Sequence, residues 1–161
     1  MRSTKLLVAA AAALAMIGST AAGPADTGKP FQVQLQPEQE VAPFTGADGA
    51  SGDISLRLNP GQRQICVDGS FDGFGADGPA LAHIHEAPAG DNGDVVVDFT
   101  HLIDGDTIQG CVDVERAQVR DIVKDPADYY VNVHVDVPQD AAPTPDNSPG
   151  FFEGVRGQLS R

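Results

Sequence analysis

The residues of this chain best suited to chemistry are its histidines. His83 and His85 stand one residue apart in the stretch LAHIHEAPAGDNG (81–93), and His134 lies in a second run, YYVNVHVDV (129–137). Side chains alternate faces along an extended strand, so His83 and His85 share one face about 7 Å apart, while Ala82 and Ile84 take the other. In the second run Val131, Val133, Val135 and Val137 share an apolar face, and Asn132, His134 and Asp136 share the opposite one. If the two strands are neighbours, three of the four histidines converge. Imidazole suits zinc and copper, and a His-x-His pair completed by a third histidine is a recurrent ligand set. Asp136, Glu86 or Asn132 would then supply a fourth ligand or a hydrogen bond to a ligand. The competing role is structural, with the same rings bonded to backbone groups and clamping the glycine turn to the next strand. His101 lies outside both runs and reads as a surface residue.

Other chemistries find less support. Asp91, Asp94, Asp104 and Asp106 flank glycines and offer oxygen ligands for calcium, but no EF-hand pattern occurs and solvated turn aspartates are the ordinary explanation. A hydrolase is disfavoured, since no Gly-x-Ser-x-Gly is present and both cysteines are expected to be oxidised. A His-x-His strand in a disulfide-bearing β-sandwich also suggests a superoxide dismutase, yet its two-metal centre needs more than four histidines. No catalytic residue is assigned on these grounds.

The elements that must position the histidines are strands. FQVQLQ (31–36) alternates apolar and polar, as does ISLRL (54–58), which Asn59-Pro60-Gly61 closes as a turn. QICVD (64–68) is a return strand, and the glycine- and aspartate-rich residues 69–79 read as loop. Strands follow at the first histidine run, at 95–99, around Cys111 to Val114, at the second histidine run, and at FFEGVRGQL (151–159). Residues 115–124 (ERAQVRDIVK) are the one good helical candidate, ending before Asp125-Pro126. This pattern predicts an all-β, antiparallel, Greek-key-like sandwich or barrel with one short helix. Residues 138–150, with four prolines and no apolar period, read as an extended surface loop beside Phe151 and Phe152.

Residues 1–22 combine Arg2 and Lys5, an apolar run of about a dozen residues and a small-residue end, the layout of a secretory signal peptide. Residues 23–30 form a flexible lead-in, and the domain runs from 31 to 161. No later apolar segment is long enough to cross a membrane. Removing the leader moves the net charge from −13 to about −15, which disfavours nucleic acid or an anionic membrane as partner. The expected partner is an unidentified extracytoplasmic protein or envelope component, and a monomer is compatible with the sequence. The protein is expected to be secreted, periplasmic or held at the cell envelope. Cys66 and Cys111 are an isolated even pair, expected to form one disulfide in an exported protein.

Several blocks in order carry a family resemblance: AHIHEAPAGDNGDVVVDF, the Cys111 strand, DPADYYVNVH and VRGQL, with Glu40-Val41-x-Pro43 ahead of them. Together they resemble the CHRD domain, named after chordin and present in many secreted bacterial proteins. The resemblance extends from about Phe31 to Leu159. Ala87 departs from the family's usual glycine, and the proline-rich residues 138–150 replace a short link. The resemblance implies a secreted all-β domain and supplies no reaction. The expected function is a non-enzymatic extracytoplasmic binding or structural module. A copper or zinc protein using His83, His85 and His134 is the alternative, and Arg156 is expected to pair inside the fold with a carboxylate, Glu40 being a candidate.

Overall fold

In the computed structural model, which describes residues 28–75, 78–135 and 153–161, alternating apolar residues build two sheets of five strands each. With strands numbered in chain order, the first sheet holds β1 (Lys29–Leu35), β3 (Ser51–Asn59), β4 (Gln64–Asp72), β7 (Ile103–Asp104) and β8 (Thr107–Asp113). The second holds β2 (Thr45–Gly46), β5 (Pro79–Glu86), β6 (Asp94–Asp98), β9 (Tyr129–Val135) and β10 (Glu153–Gln158). Their spatial orders are β1-β3-β4-β8-β7 and β2-β10-β9-β5-β6. The arrangement is the expected sandwich, with no closed barrel. All pairings are antiparallel except the short parallel contact of β2 with β10.

The period-2 pattern sorts residues as the sequence predicts. Phe31, Val33, Leu35, Ile54, Leu56, Leu58, Ile65 and Val67 enter the core from the first sheet. Ala82, Ile84, Val131, Val133 and Val155 meet them from the second. Each fully buried aliphatic side chain contributes about 1.5–3 kcal/mol. A nine-residue helix, α1 (Arg116–Lys124), buries Val119 and Ile122 and contacts β3 and β4. It ends at Asp125, where the following Pro126 disfavours helical backbone.

Several boundaries shift by a few residues, and one difference has a clear packing cause. Residues 69–72 continue β4 and are not loop, pairing through Gly69↔Ile54 and Asp72↔Ser51. The glycine acts here as a strand residue, because a Cβ at 69 would stand only 2.5 Å from the carbonyl oxygen of Asp53. Cys66 and Cys111 are disulfide-bonded and are register partners in β4 and β8, so the bond staples neighbours within one sheet.

The feature that shapes the site is the covering of the second sheet's outer face. Gln36 exchanges backbone hydrogen bonds of 3.0 and 3.1 Å with Arg156, carrying the chain from β1 onto the edge of β10. The following strap, residues 37–46, contains a short 3-10 turn, a cis Ala42–Pro43 bond and β2. Asn92 of the glycine turn pins it, donating to the carbonyls of Val41 (3.1 Å) and Ala42 (3.0 Å). The leader, the start of the lead-in, Asp136, the proline-rich loop, Phe151 and Phe152 lie outside the described residues. No described helix is long and apolar enough to cross a membrane.

Candidate metal centre

The two histidine strands are neighbours. β5 pairs with β9 through His83↔Asn132 and His85↔Tyr130, and β9 pairs with β10 through Asn132↔Arg156 and His134↔Gly154. One face therefore carries His83, His85, Tyr130, Asn132, His134 and Arg156. His134 lies diagonally from His83, at a separation long side chains can bridge. Under the strap and the glycine turn this polar face is buried: Asn132 is 3% exposed, His134 5% and Arg156 1%.

The three imidazoles face one another. Ring centroids are 5.6 Å apart for His83 and His85, 6.1 Å for His83 and His134, and 6.5 Å for His85 and His134. One ligand nitrogen from each lies within 4.8 Å of the others. Three nitrogens bound to one ion at about 2.1 Å stand about 3.4–3.6 Å from one another, so a pair as far apart as 4.8 Å must close by about 1 Å to share a metal.

Hydrogen bonds set which nitrogen each ring presents. The carbonyl of Gly93 accepts from His85 Nδ1 at 2.9 Å, leaving Nε2 deprotonated and buried without a partner. His83 turns Nε2 toward Thr100 Oγ1 (3.5 Å) and the Asp98 carboxylate (3.7 Å), leaving Nδ1 buried without a partner. Outer bonds to a carbonyl and a carboxylate orient metal-binding histidines in this way. Burial lowers the pKa of His83, with Asp98 opposing, and burial likewise lowers that of His85, with the Gly93 bond opposing. Burial, reinforced by the other two histidines, pushes His134 down to about 4. All three rings are thus held in the neutral form that ligates metals.

Around the rings stands a stacked column that the sequence reading did not find. His85 lies flat against Tyr130, with centroids 4.8 Å apart and planes 5° from parallel. The guanidinium of Arg156 rests 3.4 Å from the centre of the same Tyr130 ring. Arg156 also donates to the Pro88 carbonyl (3.2 Å) and Gln158 Oε1 (3.3 Å). The expected Arg156–Glu40 contact pair is not among the ion pairs of the described residues. The two interact at longer range, and the arginine is held by a ring face and carbonyls. Cation–π contact with a desolvated ring is worth about 2 kcal/mol. The signal for this column was the Tyr130–Arg156 relation across β9 and β10, which only strand register reveals.

Of the suggested fourth ligands, Asn132 lies on the histidine face. Glu86 does not: it follows His85 by one residue, is exposed, and on the other side of the strand it adds to the burial that raises the Tyr129 phenol pKa. His101, Asp91, Asp94, Asp104 and Asp106 are exposed, and none belongs to a metal-sized group among the described residues. A surface depression of about 710 Å³ lined by Asp98, His101, Cys111 and Glu115 adjoins the histidine cluster through Asp98, which faces His83.

Gly93 ties the turn to the site. Its N–H donates to the Tyr130 hydroxyl at 3.3 Å and its carbonyl holds His85, while a Cβ there would collide with the carbonyl of Glu86. Gly93→Ala is expected to destabilise the fold by about 2 kcal/mol or more and to release His85. A urea-denaturation shift below about 0.5 kcal/mol would show that the turn re-forms without these contacts.

Comparison with known proteins adds one match. The CHRD domain family matches residues 31–139, taking in all three histidines. No curated protein and no solved structure matches the chain.

Proposed function

The chain belongs to the CHRD domain family, and from that premise we propose that it is a non-enzymatic, exported β-sandwich module whose ligand is a transition-metal ion held by His83, His85 and His134. The observation that carries this reading is the convergence of three neutral imidazoles from two adjacent strands, within 4.8 Å of one another. A purely structural role accounts for the outer nitrogens of His83 and His85. It leaves their inner nitrogens buried with no donor, a loss of about 1–3 kcal/mol each that a cation would offset. The all-nitrogen set suits copper or zinc and is a poor match to calcium or magnesium, which take oxygen ligands. The Cys66–Cys111 disulfide is consistent with export to an oxidising compartment, where this ion would be met.

The deciding experiment is elemental analysis of untagged protein purified from an oxidising compartment, beside a His83→Ala/His85→Ala variant. Near-stoichiometric copper or zinc is expected in the wild type and a loss of it in the variant. Absence of metal from folded wild type after loading with Cu²⁺ and with Zn²⁺ overturns the reading.

A further inference from the structure

The histidine face holds one more buried polar group. Both carboxyl oxygens of Glu40 are buried with no hydrogen bond of good geometry, and the nearby Asn132 side chain offsets only part of the cost of their burial. Glu40 belongs to the strap, and the strap lays it against β9 and β10 beside His134. Glu40 Oε1 and His134 Nδ1 lie 2.9 and 3.2 Å from the point where a Cβ on residue 154 would sit. Gly154, the register partner of His134, thus leaves a gap that Glu40 Oε1 and His134 Nδ1 both border. Any larger residue would fill it.

The orphaned atoms share a chemical character. His83 Nδ1 and His85 Nε2 are lone-pair acceptors because their opposite nitrogens face a carboxylate and a carbonyl. The Glu40 oxygens, which the Asn132 side chain faces, and Asn132 Oδ1 are buried acceptors as well. Arg156 faces Glu40 as a long-range charge only, since its own donors are turned to Pro88, Gln158 and Asn92. A set of acceptors gathered on one buried face, richer in lone pairs than in donors, is what a cation requires.

We infer that Glu40 is the acidic partner of the three-histidine site, supplying at the Gly154 gap the buried negative charge that a bound transition-metal cation meets. This rests on the metal reading above and adds to it the residue that sets affinity. Glu40 is a positioning and charge-balancing residue beside His134. The cation would then be held between a strand pair and the strap, so loading would fasten residues 37–46 to the sheet.

The test compares Zn²⁺ affinity and the Co²⁺ absorption spectrum of wild type, Glu40→Gln and Glu40→Asp. Glutamine keeps the shape and removes the charge, and aspartate keeps the charge on a shorter arm. Glu40→Gln is expected to bind Zn²⁺ about 10- to 100-fold more weakly, with Glu40→Asp between it and wild type. The unloaded Glu40→Gln protein is expected to unfold at the same or a higher denaturant concentration at pH 7, because glutamine keeps a polar group facing Asn132 and removes a carboxyl whose charged form is costly to bury. Equal Zn²⁺ affinity and an identical Co²⁺ spectrum in wild type and Glu40→Gln overturn the role of Glu40 and leave the histidine site standing. A Glu40→Gln protein that is destabilised when unloaded, yet binds normally in its folded fraction, overturns it too and makes Glu40 structural. Wild type that takes neither ion overturns the histidine site, and this inference with it.

Discussion

Replacing Cys66 and Cys111 together by alanine is expected to lower the stability of the fold by about 4 kcal/mol. The bond closes a loop with a sequence separation of 45, and in the chain-entropy account its worth comes from the conformations it denies the unfolded chain. The folded state should change little, because β4 and β8 keep their register from Gln64↔Asp113 to Ser70↔Thr107 without it. The bond also lies in the first sheet, away from the histidines on the outer face of the second. Folded double variant is therefore expected to bind metal as the wild type does. Urea denaturation of oxidised wild type and the variant measures the difference. A change below about 1 kcal/mol would show that the unfolded chain already keeps β4 and β8 close, so that the crosslink removes little freedom.

Acidifying the metal-free protein from pH 7 toward pH 4 is expected to withdraw stability through the histidines. The folded pKa of His134 is about 4 against 6.5 for a free histidine, and those of His83 and His85 are lowered as well. Between the two values the unfolded chain binds more protons than the folded one. This contribution is therefore complete above about pH 6.5 and is lost as the pH falls toward each folded value. For His134 the full loss amounts to about 3 kcal/mol.

Glu40 acts in the opposite direction. Burial raises its pKa from 4.5 to about 7, against the opposing pull of Arg156 and Asn132. Here the folded state takes the extra proton, so its contribution is present below about pH 4.5 and is lost as the pH rises through 7. Over the shared window Glu40 offsets His134, and the net decline on acidification is left to His83 and His85. Glu40→Gln removes the offset, so its stability should fall more steeply than that of wild type between pH 7 and 4.5. Denaturation curves across that range test the sign. Parallel profiles for the two proteins would mean that the Glu40 carboxyl does not stay neutral on folding.

Bound metal should mask both effects. A cation competes with protons for the histidines, and a ligand that binds only the folded state stabilises in proportion to the logarithm of its concentration.

Much of the architecture was legible from residue order, because strand alternation is a local property. Val131 and Val133 point inward and Asn132 and His134 outward for the same reason that His83 and His85 share a face: successive side chains in a strand cannot share one. The disulfide was expected from an even cysteine pair, the helix from its own apolar spacing, and the meeting of the histidines only on the condition that their strands pair. Local composition misled only where long-range packing overrode it. Gly69 looks like loop, yet it serves β4 because Asp53 approaches too closely for any side chain.

What sequence could not supply was the contact between segments far apart in the chain. Glu40 and His134 are separated by the whole sandwich in sequence, and nothing in residue types announces that the strap folds over β10 to bring them together. The same holds for the Tyr130–Arg156–His85 column, which depends on the register of three strands, and for Glu86, whose exclusion depends on a face. Sequence alone determined which residues could ligate a metal and which face they would share. The tertiary structure decided which of them meet, which carboxyl is laid near them and how buried they are, because burial and register are set by long-range pairing and not by any local pattern.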